Sequence, residues 1–294
     1  MRTAIVLSIG LGLMCASVNA HAQSLSFASK DPDKPIEVTA DQGIEWQQSA
    51  KLFIARGNAK ARQGELSVTA DELVAHYRDT NSGNEVYRVD AVGNVAIAST
   101  SEQATGSAAV YDFDKSVLVI EGNPVSLTTP SGKVTAKQAI QYWARERVAV
   151  AEGDAEAQDE NRRIKADRLT AFFHDVEKAK TPSTPTTLQQ GDIRIVQAEG
   201  NVVMRTAKET VRGDRGEYNR DTGIARLEGA VKMTQGENQL SGGFAVVDTK
   251  AGTSRLFGSA REAGVPGPGS DARVKALIAP KPKSPDAKAP EPAK

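Results

Sequence analysis

The sequence predicts an all-β chain, elongated and built from about six to seven repeats of roughly 30 residues. Three observations predict it. A glycine recurs at near-equal intervals, in Arg56-Gly57-Asn58, Val92-Gly93-Asn94, Glu121-Gly122-Asn123, Glu152-Gly153-Asp154, Glu199-Gly200-Asn201, Glu228-Gly229-Ala230 and Phe257-Gly258, with spacings of 36, 29, 31, 47, 29 and 29 residues. Between the glycines runs a second signature, an apolar residue, a small residue two positions on and an aromatic or bulky end, as in Val68-Thr69-Ala70-Asp71 to Tyr77, Val134-Thr135-Ala136-Lys137 to Trp143 and Ile164-Lys165-Ala166-Asp167 to Phe173. Stretches such as Val202-Val203-Met204-Arg205 and Val231-Lys232-Met233-Thr234 alternate with a period of two, the mark of a half-buried strand.

At the N-terminus, Arg2 supplies a positive charge, Ala4 to Cys15 an apolar run, and Ala20-His21-Ala22 an A-x-A site ahead of Gln23. Residues 1–22 read as a secretory signal peptide cleaved near Ala22/Gln23, the apolar run being too short to span a bilayer. Cys15 is the one cysteine and leaves with the leader. The exported chain then has no disulfide and no thiol chemistry, and its stability rests on sheet pairing and burial.

The body, 23–265, opens with Val38-Thr39-Ala40-Asp41 to Trp46, a partial copy of the second signature. Its first half spans 35–175, a Ser/Thr/Pro insertion with Pro182 and Pro185 occupies 179–191, and the second half spans 192–260. Asp71–Tyr77 and the stretch from Asp167 have helix-like composition, but their equivalent Arg212-Gly213-Asp214-Arg215-Gly216 carries two glycines, each costing about 1 kcal/mol in a helix, so the shared structure is extended. The Gly-Asn and Glu-Gly steps are expected as turns between strands, where glycine accepts a positive φ. Strands with one apolar face must stack, so two sheets are expected to face each other around a continuous interior, about 35–50 Å long and open-edged at both ends. From 266 to 294 the chain holds seven of its 13 prolines and a net charge of +3, and this tail is expected to be disordered.

The charges, 37 basic and 37 acidic, cancel, and residues 23–265 are mildly acidic at about -4, which leaves no global excess to steer a polyanion. Catalytic groups are sparse. His76 and His174 lack HxH or HExxH spacing and read as strand-surface or sheet-end residues, and no phosphate loop, GxSxG elbow or cysteine cluster is present. No catalytic residue, metal ligand or cofactor is assigned. The acidic run Glu152 to Glu160 lacks the alternating ligands of a calcium loop and reads as a solvated loop. The apolar positions read as inward are Ile36, Val38, Ile54, Val68, Leu73 and Ile97 in the early copies, Tyr111, Phe113 and Val119 in the middle, and Val202, Met204, Val231 and Met233 in the late ones. They either fill a dry core or, if small neighbours such as Ala59, Ala155, Gly213 and Gly242 leave it under-filled, line a lipid-sized groove. A one-residue error of strand phase exchanges the faces.

The segment Pro35-Ile36-Glu37-Val38-Thr39-Ala40-Asp41-Gln42, then Leu52-Phe53-Ile54-Ala55-Arg56-Gly57-Asn58-Ala59, then Gly64-Glu65-Leu66-Ser67-Val68-Thr69-Ala70-Asp71-Glu72-Leu73, closely resembles the opening of the LptA/OstA family of periplasmic lipopolysaccharide-transport proteins. The resemblance extends, more weakly, to about Gly258. It implies a twisted, open β-jellyroll in the periplasm of a Gram-negative envelope whose interior carries the acyl chains of lipid A. It implies that Ile36 and Val38 lie on the first strand, which meets an inner-membrane partner of related fold, and that Ile97, Tyr111 and Phe113 line the groove. It also implies an outer-membrane translocon at the C-terminal edge and head-to-tail self-association. The chain departs from the family pattern in its length, its Pro182/Pro185 insertion and its Pro/Lys tail.

The expected function is therefore a non-enzymatic lipopolysaccharide conduit that forms part of a bridge between the two membranes, with no role for nucleic acid. The alternatives are a secreted structural or adhesive β-repeat module and a solenoid enzyme acting on polysaccharides.

Overall fold

The computed structural model describes residues 35–81, 83–174, 193–266 and 273–279. The leader with its cleavage point, the Pro182/Pro185 insertion and the tail beyond 279 lie outside the described residues. Every helix-or-strand element among the described residues is a strand. The first six rungs of the fold are β1 (Glu37–Thr39) with β2 (Ile44–Gln47), β3 (Leu52–Gln63), β4 (Leu66–Thr80), β5 (Gly83–Ala98), β6 (Gln103–Asp112), and β7 (Val117–Glu121) with β8 (Val125–Thr129). The next six are β9 (Gly132–Ala136) with β10 (Ala139–Trp143), β11 (Val148–Gln158), β12 (Arg162–Phe173), β13 (Ile193–Thr206), β14 (Thr210–Asn219) and β15 (Ile224–Gln235). β16 (Asn238–Asp248), β17 (Thr253–Phe257) and β18 (Lys275–Leu277) complete the chain. All eighteen strands join one antiparallel sheet.

That single sheet corrects the expectation of two. The long strands are bent at mid-length, and the sheet folds along the line of bends so that its two halves face each other. The glycine repeat marks the bends and not the turns. At Gly93-Asn94 both residues have positive φ, 77° and 46°, and the pairing of β5 with β6 shifts register between Val92 and Val95. The same pair of positive φ values and the same register shift occur at Gly57-Asn58, Gly153-Asp154, Gly200-Asn201 and Gly229-Ala230. These are β-bulges, which bend a strand and strengthen its twist. The strand-to-strand connections fall elsewhere, for example at Gln63–Leu66 and Gln235–Asn238.

The two sequence signatures meet at the crease. Asp71 of β4 accepts hydrogen bonds from the Asn94 amide at 3.0 and 3.1 Å, and a Cβ on Gly93 would stand 2.1 Å from its Oδ2. Asp167 repeats this with Asn201 and Gly200. Asp41 holds Asn58 at 2.7 Å, and Lys137 with Asp154 is the same contact with the roles exchanged. Just past each bulge sits a fully buried residue whose cross-strand partner is small: Ala59 opposite Ala70, Val95 opposite Gly106, Ala155 opposite Ala166, Val202 opposite Gly213, Val231 opposite Gly242.

Because each bent strand serves both halves, every strand adds one rung of about 4.8 Å, and the body is about 60 Å long rather than 35–50 Å. Its ends are open edges. β1 and β2 cover the two halves of β3, while β18 and β17 cover the two halves of β16, and no strand of this chain lies beyond them among the described residues. β18 falls within the tail read as disordered. The run Val274-Lys275-Ala276-Leu277-Ile278 supplies enough β-forming apolar residues to pair with Gln239–Ser241.

Candidate functional site

The space between the two half-sheets is the candidate site. Alternation along each strand sends one row of side chains inward, and these rows form one continuous apolar cluster from Ala55 to Val247. Both halves contribute, for example Leu73, Leu118, Ile140, Leu169 and Leu227 from one and Ile97, Leu127, Val211, Val231 and Met233 from the other. Tyr142 lies edge-on to Phe173, with centroids 6.1 Å apart, and Tyr111 edge-on to Phe113 at 4.6 Å. Burial raises the Tyr111 phenol above its ordinary pKa and pushes Tyr142 up to about 12.

The inward positions named from sequence fall into three groups. Leu73, Ile97, Val202, Val231 and Met233 belong to the buried cluster, and Val68, Tyr111 and Met204 pack against it half-buried. Ile36, Val38 and Phe113 are exposed, the first two at the N-terminal edge where no described residue covers them. Ile54 and Val119 sit on the opposite face from the cluster residues Ala55, Leu118 and Ile120. Both lie in apolar runs, Leu52-Phe53-Ile54-Ala55 and Val117-Leu118-Val119-Ile120, where every residue is hydrophobic and the phase is not legible. Sequence reasoning also missed Trp46, Phe53 and Tyr77, which stack at 5.4 and 4.9 Å near the N-terminal mouth, with the Trp46 indole donating to the Tyr77 hydroxyl at 2.8 Å. The aromatic residue that ends each copy of the second signature was the available signal.

The small residues do not leave the interior under-filled. A Cβ on Gly106 would stand 2.7 Å from Ile120 Cγ2, and one on Gly242 3.0 Å from Leu256 Cγ and 2.6 Å from the Phe257 carbonyl. They are small because neighbouring rungs approach most closely at the bend. The gap between Leu118, Ile120, Ile140 and Tyr142 on one side and Leu127 on the other is a cavity of about 20 Å³, less than a methylene chain needs.

Apart from Glu102, which is buried, the charged side chains of the described residues reach the outside. Arg56 bridges Glu45 and Glu72, both at 2.8 Å, and Arg78 bridges Glu85 and Asp114. The Arg56 guanidinium holds the Glu45 carboxyl below its ordinary pKa. His76 pairs with Asp90 at 2.7 Å and His174 with Asp221 at 2.8 Å, so the two histidines serve separate carboxylates and form no joint site. The acidic run is not a loop. It follows β11 through the bulge at Gly153-Asp154 as far as Gln158, and Asp159 then caps a turn by accepting from the Asn161 and Arg162 amides. A polar hollow of about 530 Å³ lies open on the crease between Lys137, Asp154, Asp167 and Arg168. Among the described residues no group of three or more His, Cys, Asp or Glu is placed to hold a metal ion.

A protein family described as "LptA/(LptD N-terminal domain) LPS transport protein" matches the chain twice, over residues 37–147 and 133–253. An uncharacterised protein of Rhizobium meliloti (strain 1021) is 25% identical over 130 residues, covering 42% of this chain and 69% of that protein. Among solved structures, LptH of Pseudomonas aeruginosa, the LptA homologous periplasmic component of the lipopolysaccharide transport device, covers 86% of this chain and 100% of its own at 15% identity. The TM-score of that alignment is 0.21, too low to bear on the fold.

Proposed function

The chain belongs to the LptA/LptD N-terminal domain family of lipopolysaccharide transport proteins, and from that premise we propose that it is a periplasmic conduit that carries the acyl chains of lipid A between its half-sheets. The observation that supports this most is the uninterrupted apolar interior, which runs the length of a sheet open at both ends. Each methylene moved into water costs about 0.8 kcal/mol, so a lipid crossing an aqueous compartment needs an apolar path without a break. The sugars would stay on the wet side, outside the strand rims. Since the cavity between Leu118, Ile120, Ile140, Tyr142 and Leu127 is only about 20 Å³, acyl chains enter there by parting the two halves about the crease.

The family is one of transport components and not of enzymes, and the proposed action makes and breaks no bond. In the bridge, the edge at β1/β2 meets an inner-membrane partner of related fold and the edge at β17/β18 faces the outer-membrane translocon, each junction formed by strand addition. Photo-crosslinking side chains placed at the half-buried inward positions Val68 and Met204, with Lys232 on the outer face as control, test the conduit. Lipopolysaccharide adducts are expected at the first two; adducts confined to Lys232, or none, would overturn the proposal.

A further inference from the structure

The two half-sheets differ in kind. Every Phe, Tyr and Trp of the described residues lies on the half that carries β2, β7, β10 and β17, and none on the half that carries β1, β8, β9 and β18. Along the lip of the first half, opposite the crease, the inward row ends in rings at Tyr77, Tyr111, Tyr142, Phe173 and Tyr218. Along the other lip, strand alternation carries the apolar row of Leu127, Ile164, Met204 and Met233 on to Thr129, Arg162, Thr206 and Gln235. Arg162 thereby puts a positive charge at the inner edge of the ring-free lip.

The two lips touch at that residue. Arg162 Nη1, on β12, donates to the Tyr218 hydroxyl, on β14, at 3.0 Å, and its guanidinium carbon stands 5.3 Å from the centre of the Tyr218 ring. Asp159, on the same lip as Arg162, lies 3.5 Å from its Nε, and on the other lip Thr249 lies 3.4 Å from the Tyr218 hydroxyl. Contacts such as Trp46 with Tyr77 and Thr100 with Glu65 stay on one lip and leave the halves unjoined. Parting the halves about the crease has to break the Arg162–Tyr218 contact. A neutral phenol is the weaker kind of partner for a guanidinium; a phosphate carries charge and takes two parallel N–H bonds, and is the stronger. The contact also stands where an amphiphile with its chains between the halves would have its headgroup.

We propose that Arg162 and Tyr218 form a latch across the mouth of the trough, released by the phosphate of a phosphorylated lipid. Arg162 exchanges the phenol for the phosphate, the halves part, and the acyl chains enter beneath. Arg162 is thus a specificity-determining residue for anionic headgroups, and the pair with Tyr218 keeps the empty apolar interior closed to water. The inference rests on the conduit reading and adds to it a gate and a preference among lipids.

The test uses the full chain with Cys15→Ser and nitroxide labels at Lys208→Cys and Arg220→Cys, exposed positions on the two lips, with the distance between them read by double electron–electron resonance. Without lipid, Arg162→Gln and Tyr218→Phe should each shift the distribution to longer distances, and Arg162→Lys, which keeps a cation over the ring, should shift it less. Unchanged distances in both Arg162→Gln and Tyr218→Phe would overturn the latch. Affinity is then compared, in one detergent, for bisphosphorylated lipid A and for the same lipid after phosphatase treatment. The unsubstituted chain should prefer the phosphorylated form by about tenfold, the worth of one charge-assisted hydrogen bond. Tyr218→Phe should keep that preference, and Arg162→Gln should lose it while binding the dephosphorylated lipid no more weakly than the unsubstituted chain does. A preference retained in Arg162→Gln overturns recognition by Arg162. Binding of neither lipid to the unsubstituted chain would overturn the conduit itself, whereas the lipid-free distances decide the latch on their own.

Discussion

At the scale of single residues, the crease is where the backbone is most demanding. Each bulge needs two consecutive positive-φ residues, and Gly-Asn meets that need because glycine has no Cβ and asparagine tolerates the left-handed region. Ala230 breaks the rule. It holds φ 42° without a side chain to reach Asp214, which lies over Gly229 as Asp71 lies over Gly93. Ala230→Asn should relieve part of the left-handed penalty and recreate the Asn94–Asp71 hydrogen bond, raising stability by about 1 kcal/mol, read as a higher urea midpoint at unchanged slope. Tyr142 gives a second expectation. Burial keeps its phenol neutral up to about pH 12 in the folded chain, against about 10 when unfolded. Its contribution is fully present below pH 10 and is lost as pH rises from 10 to 12, a loss of about 2–3 kcal/mol. Tyr142→Phe should therefore flatten the alkaline limb of the stability profile over that window; an unchanged limb would show that another group governs it.

At the scale of elements, Val38-Thr39-Ala40 to Trp46 of β1/β2 and the similar Val134-Thr135-Ala136 to Tyr142 of β9/β10 are two versions of one strand in different surroundings, the first exposed and the second covered. Ile140→Asp places a carboxylate between Ile120 and Ala151 in a covered strand and should cost about 3–5 kcal/mol in chemical denaturation. Ile44→Asp and Ile36→Asp, at the exposed edge, should shift stability by less than about 0.5 kcal/mol and show their effect only in weakened co-purification with the proposed inner-membrane partner. The contrast also shows what the sequence conveyed. The repeat, the strand character and the partial first copy were legible from glycine spacing and from the glycines at Gly213 and Gly216, which no helix would carry. The role of Gly-Asn was not, because a two-residue hairpin turn and this bulge use the same pair of positive φ values, and only the pairing partner distinguishes them. Strand phase was legible at Val231 and Met233, where Lys232 and Thr234 alternate with them, and illegible at Ile54 and Val119, where both faces are apolar. That Asp71 and Asn94 are partners depends on rungs folding side by side, and neither signature taken alone encodes it.

At the scale of the whole molecule, bending every strand changes the dimensions and the mechanics together. Two separate sheets would divide the strands between them and halve the length, whereas one creased sheet counts every rung toward it, giving about 60 Å at about 4.8 Å per rung. Backbone pairing joins each rung to its neighbours along the stack, with a few side-chain contacts reaching one rung further, so stability is set largely locally, as in other quasi-one-dimensional folds. The terminal rungs, each made of two short strands with one edge of hydrogen bonds unpaired among the described residues, should open first, and the middle rungs around β7 to β10, paired on both sides, last. Native-state hydrogen exchange checks this gradient. Amides of β1/β2 and β17/β18 should exchange within the dead time to minutes, and those of Leu118, Ile120 and Ile140 only near the rate of global opening. Uniform protection along the stack would instead mean that the sheet opens as one cooperative unit, which pairing between neighbouring rungs does not require.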